Sequence, residues 1–273
     1  MLRLSLTLIL FCLGYVSSYA AGGGNGTKIP QYDWSFSGVF GKYDKAQLQR
    51  GFKIYREVCA SCHSMKLIAF RDIAELGYDE ESIKVLAKEY LIEDGPNTEG
   101  EMFKRSGLMS DYFPLIYPND QAAIVANGAV PPDFSLIAKA RSYGADYIKA
   151  LMLGYPEPAM EAQVLDEEGN IIGYKNKYYP EYDPGSYPIA MPPQITQKII
   201  DDGIIEYVDG TPVTKEQVAE DIAAFLMWAA EPSLEQRKSL GVQVMIYLFI
   251  LTILFYILKI VVWRDVKPKR QSN

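Results

Sequence analysis

Cys59, Ala60, Ser61, Cys62 and His63 place two thiols and an imidazole in the spacing C-x-x-C-H. Each thiol can add to one vinyl group of a porphyrin, and the imidazole that follows can reach the iron, so the pattern reads as an attachment site for haem c. If the segment is helical, the three side chains fall at i, i+3 and i+4 on one face. His63 is the single histidine of the chain, and Cys12 is the one other cysteine. Four-ligand zinc sites, multi-histidine metal centres, bis-histidine haem ligation and a disulfide framework are therefore excluded. A thioredoxin-like redox pair would want a βαβ context, which the sequence lacks.

An iron held by His63 needs a second axial ligand, and a methionine thioether is the usual one opposite histidine. Met191 stands in the proline-braced stretch 184–193, which can hold a side chain over a flat cofactor at little ordering cost. Met109 and Met160 remain the alternatives. Met65 is too close to His63 to reach the opposite face, Met152 and Met227 fall on helical patterns that want a core, and Met245 lies in an apolar run.

The elements that must position these residues are mostly helices. Leu48, Gly51, Phe52, Tyr55 and Val58 recur at helical spacing from Asp44 to Val58, directly before Cys59, and Gly51 points to close packing against another element. A second helical pattern covers Asp146 to Leu153. A third starts with Thr214 and Gln217 in capping-box spacing, carries Val218, Ile222, Phe225 and Leu226 on one face, and stops before Pro232. Strand pairs are expected at 163–174, around Glu168-Gly169-Asn170, and at 199–213, around Asp209-Gly210. The fold class is mainly α, with a loop-rich middle from Gly154 to Pro193 and small β-hairpins. The glycines at 22–26 lack a following Gly-Lys-Ser/Thr, so they do not form a phosphate loop.

The two ends suggest export and anchoring. Residues 1–20 have the basic start, apolar middle and small-residue end of a signal peptide. Residues 241–263 are apolar over a length that spans a bilayer, with Trp263 at interface level and Arg264, Lys267, Lys269 and Arg270 in a short tail, 264–273, expected in the cytoplasm. Between them, the body 21–240 holds 21 basic and 33 acidic residues, a net charge of −12 against −7 for the whole chain. That argues against nucleic acid as a partner and suits encounter with a basic protein.

Taken together, the chain resembles the cytochrome c1 family, the haem subunits of quinol-cytochrome c reductase (cytochrome bc1) complexes, in its alphaproteobacterial form. The resemblance rests on the glycine-rich start 21–24 and on Tyr55 to Met65. It continues through Gly128-Ala129-Val130-Pro131-Pro132-Asp133-Phe134-Ser135, Ala140-Arg141 with Asp146-Tyr147-Ile148, Ile189-Ala190-Met191-Pro192-Pro193 and the C-terminal anchor. It implies one covalent haem c on Cys59 and Cys62, with His63 and Met191 as axial ligands. It also implies that Arg141 and Tyr147 contact the propionates and that Asn127, Pro131 and Pro132 line the pocket. Relatives often carry histidine where this chain has Ser142, and no cysteines remain for the extra disulfide of some bacterial forms.

The function implied is outer-sphere electron transfer in the cytochrome bc1 complex, one electron at a time from the Rieske iron-sulfur protein to a soluble or tethered cytochrome c. Quinol chemistry would belong to cytochrome b, so the assembled, dimeric complex is the enzyme. The haem domain is expected in the periplasm, on a single-pass anchor in the bacterial inner membrane. An anchored monohaem cytochrome of a terminal oxidase is the alternative, separable by partner identity. A peroxidase-like enzyme would need an open iron position and a distal acid-base group, for which no histidine exists.

Overall fold

The structure, a computed structural model, describes residues 28–179 and 188–264. The expected signal peptide, the glycine-rich start, the first part of the Met191 loop and the basic tail lie outside these residues. Helix α1, Lys45–Glu57, begins where the Asp44 carboxylate accepts the backbone N–H groups of Ala46 and Gln47 at 2.9 and 3.4 Å. Its stripe of Leu48, Phe52, Ile54 and Tyr55 is almost fully buried, each side chain stabilising the fold by roughly 1.5–3 kcal/mol.

The partner of α1 is α6, Lys215–Ala230, the third helix anticipated from sequence. Thr214 caps it, accepting from Gln217 N at 3.1 Å, but the reciprocal half of the expected capping box is absent: Gln217 Nε2 donates to Asp221 Oδ1 at 2.8 Å. At the crossing, a Cβ on Gly51 would stand 2.2 Å from the Asp221 carbonyl oxygen and 2.5 Å from Phe225 Cβ. Glycine is therefore required there for close approach of two backbones, as the α1 pattern suggested. Asp221 is wholly buried and is held by Arg50, whose Nε and Nη2 donate to its two oxygens at 2.8 and 3.1 Å.

Three further helices complete the body. These are α2, Glu80–Lys88; α3, Asp120–Asn127; and α4, Ala145–Leu153, which packs on α6 and donates from Lys149 Nζ to Glu220 at 2.6 Å. Strands β1, Leu91–Asp94, and β2, Phe103–Ser106, form an antiparallel pair that the sequence pattern did not reveal. The expected hairpin at 163–174 is present as β3, Gln163–Leu165, and β4, Ile171–Tyr174. The strand pair expected at 199–213 is not. Thr196 caps a short helix there, α5, Gln197–Asp201, and Asp209 accepts from Thr211 N and from Arg50 instead of turning a hairpin.

The chain closes the described region with α7, Leu234–Arg264, 31 residues and about 46 Å long, more than a bilayer's hydrocarbon core. Its apolar stretch is not buried against the rest of the protein, which makes it a candidate membrane span. The helix starts inside the folded body, at buried Leu234, so no break separates body and anchor at 240/241.

Candidate haem attachment site

Helix α1 ends at Glu57 with Val58 as its C-cap, and the chain tightens into a 3-10 turn, Cys59–Ser61. The thiols and imidazole therefore sit on a tight turn after the helix and not on one α-helical face as expected. The Cys59 carbonyl accepts from both Cys62 N, at 3.1 Å, and His63 N, at 2.9 Å, which folds the five residues into one knot. Both cysteines are free and half-buried. Burial, with Cys62 beside it, pushes the Cys59 thiol up to about 12, the opposite of a reactive redox thiolate.

His63 is buried, and its ring lies face to face with Phe134, centroids 3.9 Å apart and planes 16° from parallel. His63 Nδ1 is 2.8 Å from the Pro132 carbonyl oxygen. A carbonyl can only accept, so Nδ1 carries the proton and Nε2 keeps its lone pair when the ring is neutral. Burial favours that neutral ring, lowering the imidazole's pKa against the opposing pull of the Pro132 carbonyl. This is the tautomer a metal ligand needs, with the outer partner that normally fixes a ligating histidine.

Two strands of irregular chain run side by side to hold that geometry. Phe134 N donates to the Ser64 carbonyl at 2.8 Å, Lys66 N to Asp133 Oδ2 at 3.0 Å and Leu67 N to Ser135 Oγ at 3.0 Å. Tyr55 Oη, from α1, donates to the His63 carbonyl at 3.1 Å. Asn127, the last residue of α3, accepts from Cys62 Sγ at 3.5 Å and donates through Nδ2 to Ala123 O at 2.9 Å. The structure thus gathers Cys59, Cys62, His63, Asn127 and Pro132 in one place, with Pro131 adjacent in the chain.

The other expected residues lie on different elements. Met191 is half-buried; its carbonyl accepts from Tyr155 Oη at 2.9 Å, and nearby Ile189 pairs with Tyr174 of β4 through bonds of 2.8 and 3.0 Å. Those contacts fix its backbone and do not run to the His63 turn. Met109 packs against the core, whereas Met160 is exposed. Tyr147 is buried on α4 beside Ile29 and Ala150. Arg141 is exposed, with Nη1 donating to Ala140 O at 3.2 Å.

Phe134, Asp133, Tyr55 and Tyr155 escaped the sequence reading as site residues. The first two were visible within the Pro-Pro-Asp-Phe run, and Tyr55 in the α1 stripe; Tyr155 carried no signal. Among the described residues no group of three or more His, Cys, Asp or Glu could hold a metal ion by itself. Two free thiols and one correctly protonated imidazole fit a cofactor that brings its own equatorial ligands, and haem c is such a group.

Residues 34–266 match the model of the Cytochrome C1 family. The chain is 45% identical over 250 residues to a cytochrome c1 of Rhodospirillum rubrum, covering 89% of this chain and 90% of that protein. It is 45% identical over 230 residues to "Cytochrome c1-2, heme protein, mitochondrial" of Solanum tuberosum, covering 84% and 82%. A "Cytochrome b/c1" of Bradyrhizobium diazoefficiens is 44% identical over 260 residues, which is 87% of this chain but 36% of that longer protein.

Proposed function

The chain belongs to the cytochrome c1 family, and on that premise we propose the route of its electron: from a Rieske iron-sulfur protein, through this subunit of the cytochrome bc1 complex, to a cytochrome c. Bound covalently, haem c supplies a reversible one-electron iron couple. Cys59 and Cys62 would hold it, and His63 would ligate through Nε2. The observation that carries the reading is the His63 Nδ1 to Pro132 O contact of 2.8 Å, which fixes tautomer and ring direction together.

Met191 would supply the second protein ligand. Tyr155 and the Ile189–Tyr174 pairing set the course of its backbone, so the thioether enters on a loop with limited freedom. Arg141, at the surface, and Tyr147 serve the propionates, a cation and a hydroxyl being the groups that carboxylates recruit. With His63 and Met191 both engaged as ligands, the site's described residues would hold and orient the group, and none would move a proton. The quinol reaction falls to cytochrome b, in a dimeric complex.

The acidic body faces the periplasm, carried on α7 as a single-pass anchor in the bacterial inner membrane, and its charge favours a basic cytochrome c. Two measurements test this. Met191→Leu is expected to lower the midpoint potential by a substantial part of the about 0.8 V span that axial ligands command; an unchanged low-spin, high-potential spectrum would refute Met191. Affinity purification of the complex should bring down cytochrome b and a Rieske protein, and recovery of terminal-oxidase subunits in their place would overturn the assignment.

A further inference from the structure

Ahead of α1 the chain makes a closed loop with an apolar tip. Lys42 N donates to the Ser35 carbonyl at 3.0 Å and Ser37 N to the Trp34 carbonyl at 2.9 Å, which shuts the base. Trp34 stacks on Phe36 at 5.3 Å, and Phe36 meets Tyr43 at 5.1 Å with its ring tilted by 45°, giving that base an aromatic floor. Gly38, at φ +69°, takes a left-handed conformation that lets the chain reverse. What the loop presents is Val39, 60% exposed, and Phe40, 81% exposed. The two adjacent side chains form one small apolar tip on a supported loop.

The loop is fastened to the first turns of α7. Lys238 Nζ donates to the Phe36 carbonyl at 2.5 Å and the Gly41 carbonyl at 3.3 Å, one on each side of the tip, and Tyr43 N donates to Glu235 Oε1 at 3.0 Å. Lys238 stands four residues, about 6 Å along the helix, before Val242, where the apolar run begins. That offset equals the thickness of the interfacial layer on one side of a bilayer, about 5–7 Å. Val242, one turn along the same face, is half-buried although most of the span is exposed.

We propose that loop 37–41 is a second membrane contact, with Val39 and Phe40 entering the lipid interface beside the anchor. An aromatic and a branched aliphatic side chain fit the boundary between headgroups and acyl chains. One helix leaves the body free to swivel about the span; a second, offset contact fixes its azimuth and tilt. The proposal rests on α7 being the span.

The test uses the haem-loaded mature chain from residue 21, whose Cys59 and Cys62 are taken up by the haem, in vesicles of phosphatidylcholine and phosphatidylglycerol. Spin labels go at Phe40→Cys, Val39→Cys, Ile250→Cys within the span and Val208→Cys, where the native side chain is 99% exposed. Collision with lipid-soluble oxygen is compared with collision with a water-soluble nickel chelate. Phe40 and Val39 should show an oxygen-to-nickel ratio several-fold above Val208, below that of Ile250. A ratio at Phe40 equal to Val208 while Ile250 reads as lipid overturns the loop's role alone. Shielding of Phe40 from both reagents assigns the loop to a protein contact and also overturns it. An aqueous Ile250 overturns both the loop contact and the span.

Discussion

The α1–α6 crossing and the attachment turn lie end to end on the same helix, yet they are built in opposite ways. At the crossing, two backbones meet through a glycine, Asp221 is sealed in with Arg50 as its partner, and Phe52, Phe225 and Trp228 fill the space around them. Four residues past Tyr55, regular structure gives way to a 3-10 turn and two irregular segments joined by single hydrogen bonds. The first region needs nothing but the chain. The second presents free thiols and an aimed lone pair, and the group it binds would add to its order, much as ligand binding adds to folding free energy elsewhere.

The sharpest way to break this contrast is Gly51→Val. The new side chain meets a backbone carbonyl that cannot give way, so a loss above about 3 kcal/mol is expected in denaturant titration, enough to abolish a folded haem protein. A near-normal midpoint would show that the crossing is adjustable. On the other side, Phe134→Ala removes the wall of the imidazole and should cost about 3 kcal/mol without cofactor, but show in the haem-loaded protein chiefly as a broadened axial-ligand spectrum. Equal stability losses in both forms would mean that haem contributes little order here.

Smaller effects refine the comparison. Thr214→Ala deletes the α6 cap and should cost about 1 kcal/mol with or without haem, measured by thermal melting. Asn127→Ala should cost about 1 kcal/mol once haem is attached, because a thioether has no proton to give to Asn127 Oδ1 and only the Tyr117 Oη and Ala123 O bonds are left to lose. The Thr211 N–H and then the Arg50 guanidinium hold Asp209 down at about 2. A carboxyl depressed in this way contributes stability that is complete above about pH 4 and lost as pH falls towards 2. Asp209→Asn should flatten the fall in melting temperature over that interval, and an unchanged slope would place the acid sensitivity elsewhere.

What was legible in the sequence follows from how local each determinant is. Helices α1, α4 and α6 could be read because their apolar stripes repeat within a few residues, with a local cap at α1 and α6, and Gly51 because glycine amid a helical stripe demands a reason. The β1–β2 pair was not, since Leu-Ile-Glu-Asp and Phe-Lys-Arg-Ser alternate weakly and stand eight residues apart. At 199–213 the Asp209-Gly210 pair resembled a hairpin turn, but Thr196 supplied a helix cap and Arg50 claimed the aspartate, a tertiary partner invisible in a local window. The attachment residues were legible because covalent chemistry imposes their spacing. Pro132 as the partner of His63, 69 positions away, was not. It entered through resemblance, and the acceptor that explains it is a backbone carbonyl.

That last detail has an evolutionary side. A carbonyl belongs to every amino acid, so no single substitution at position 132 deletes the acceptor that orients the imidazole; it can only be displaced by bending the main chain. Genetic drift can therefore reach the basicity of this ligand only clumsily. Over generations, adjustment of the iron's driving force must fall to side chains that mutation can exchange outright, on the opposite face and around the rim.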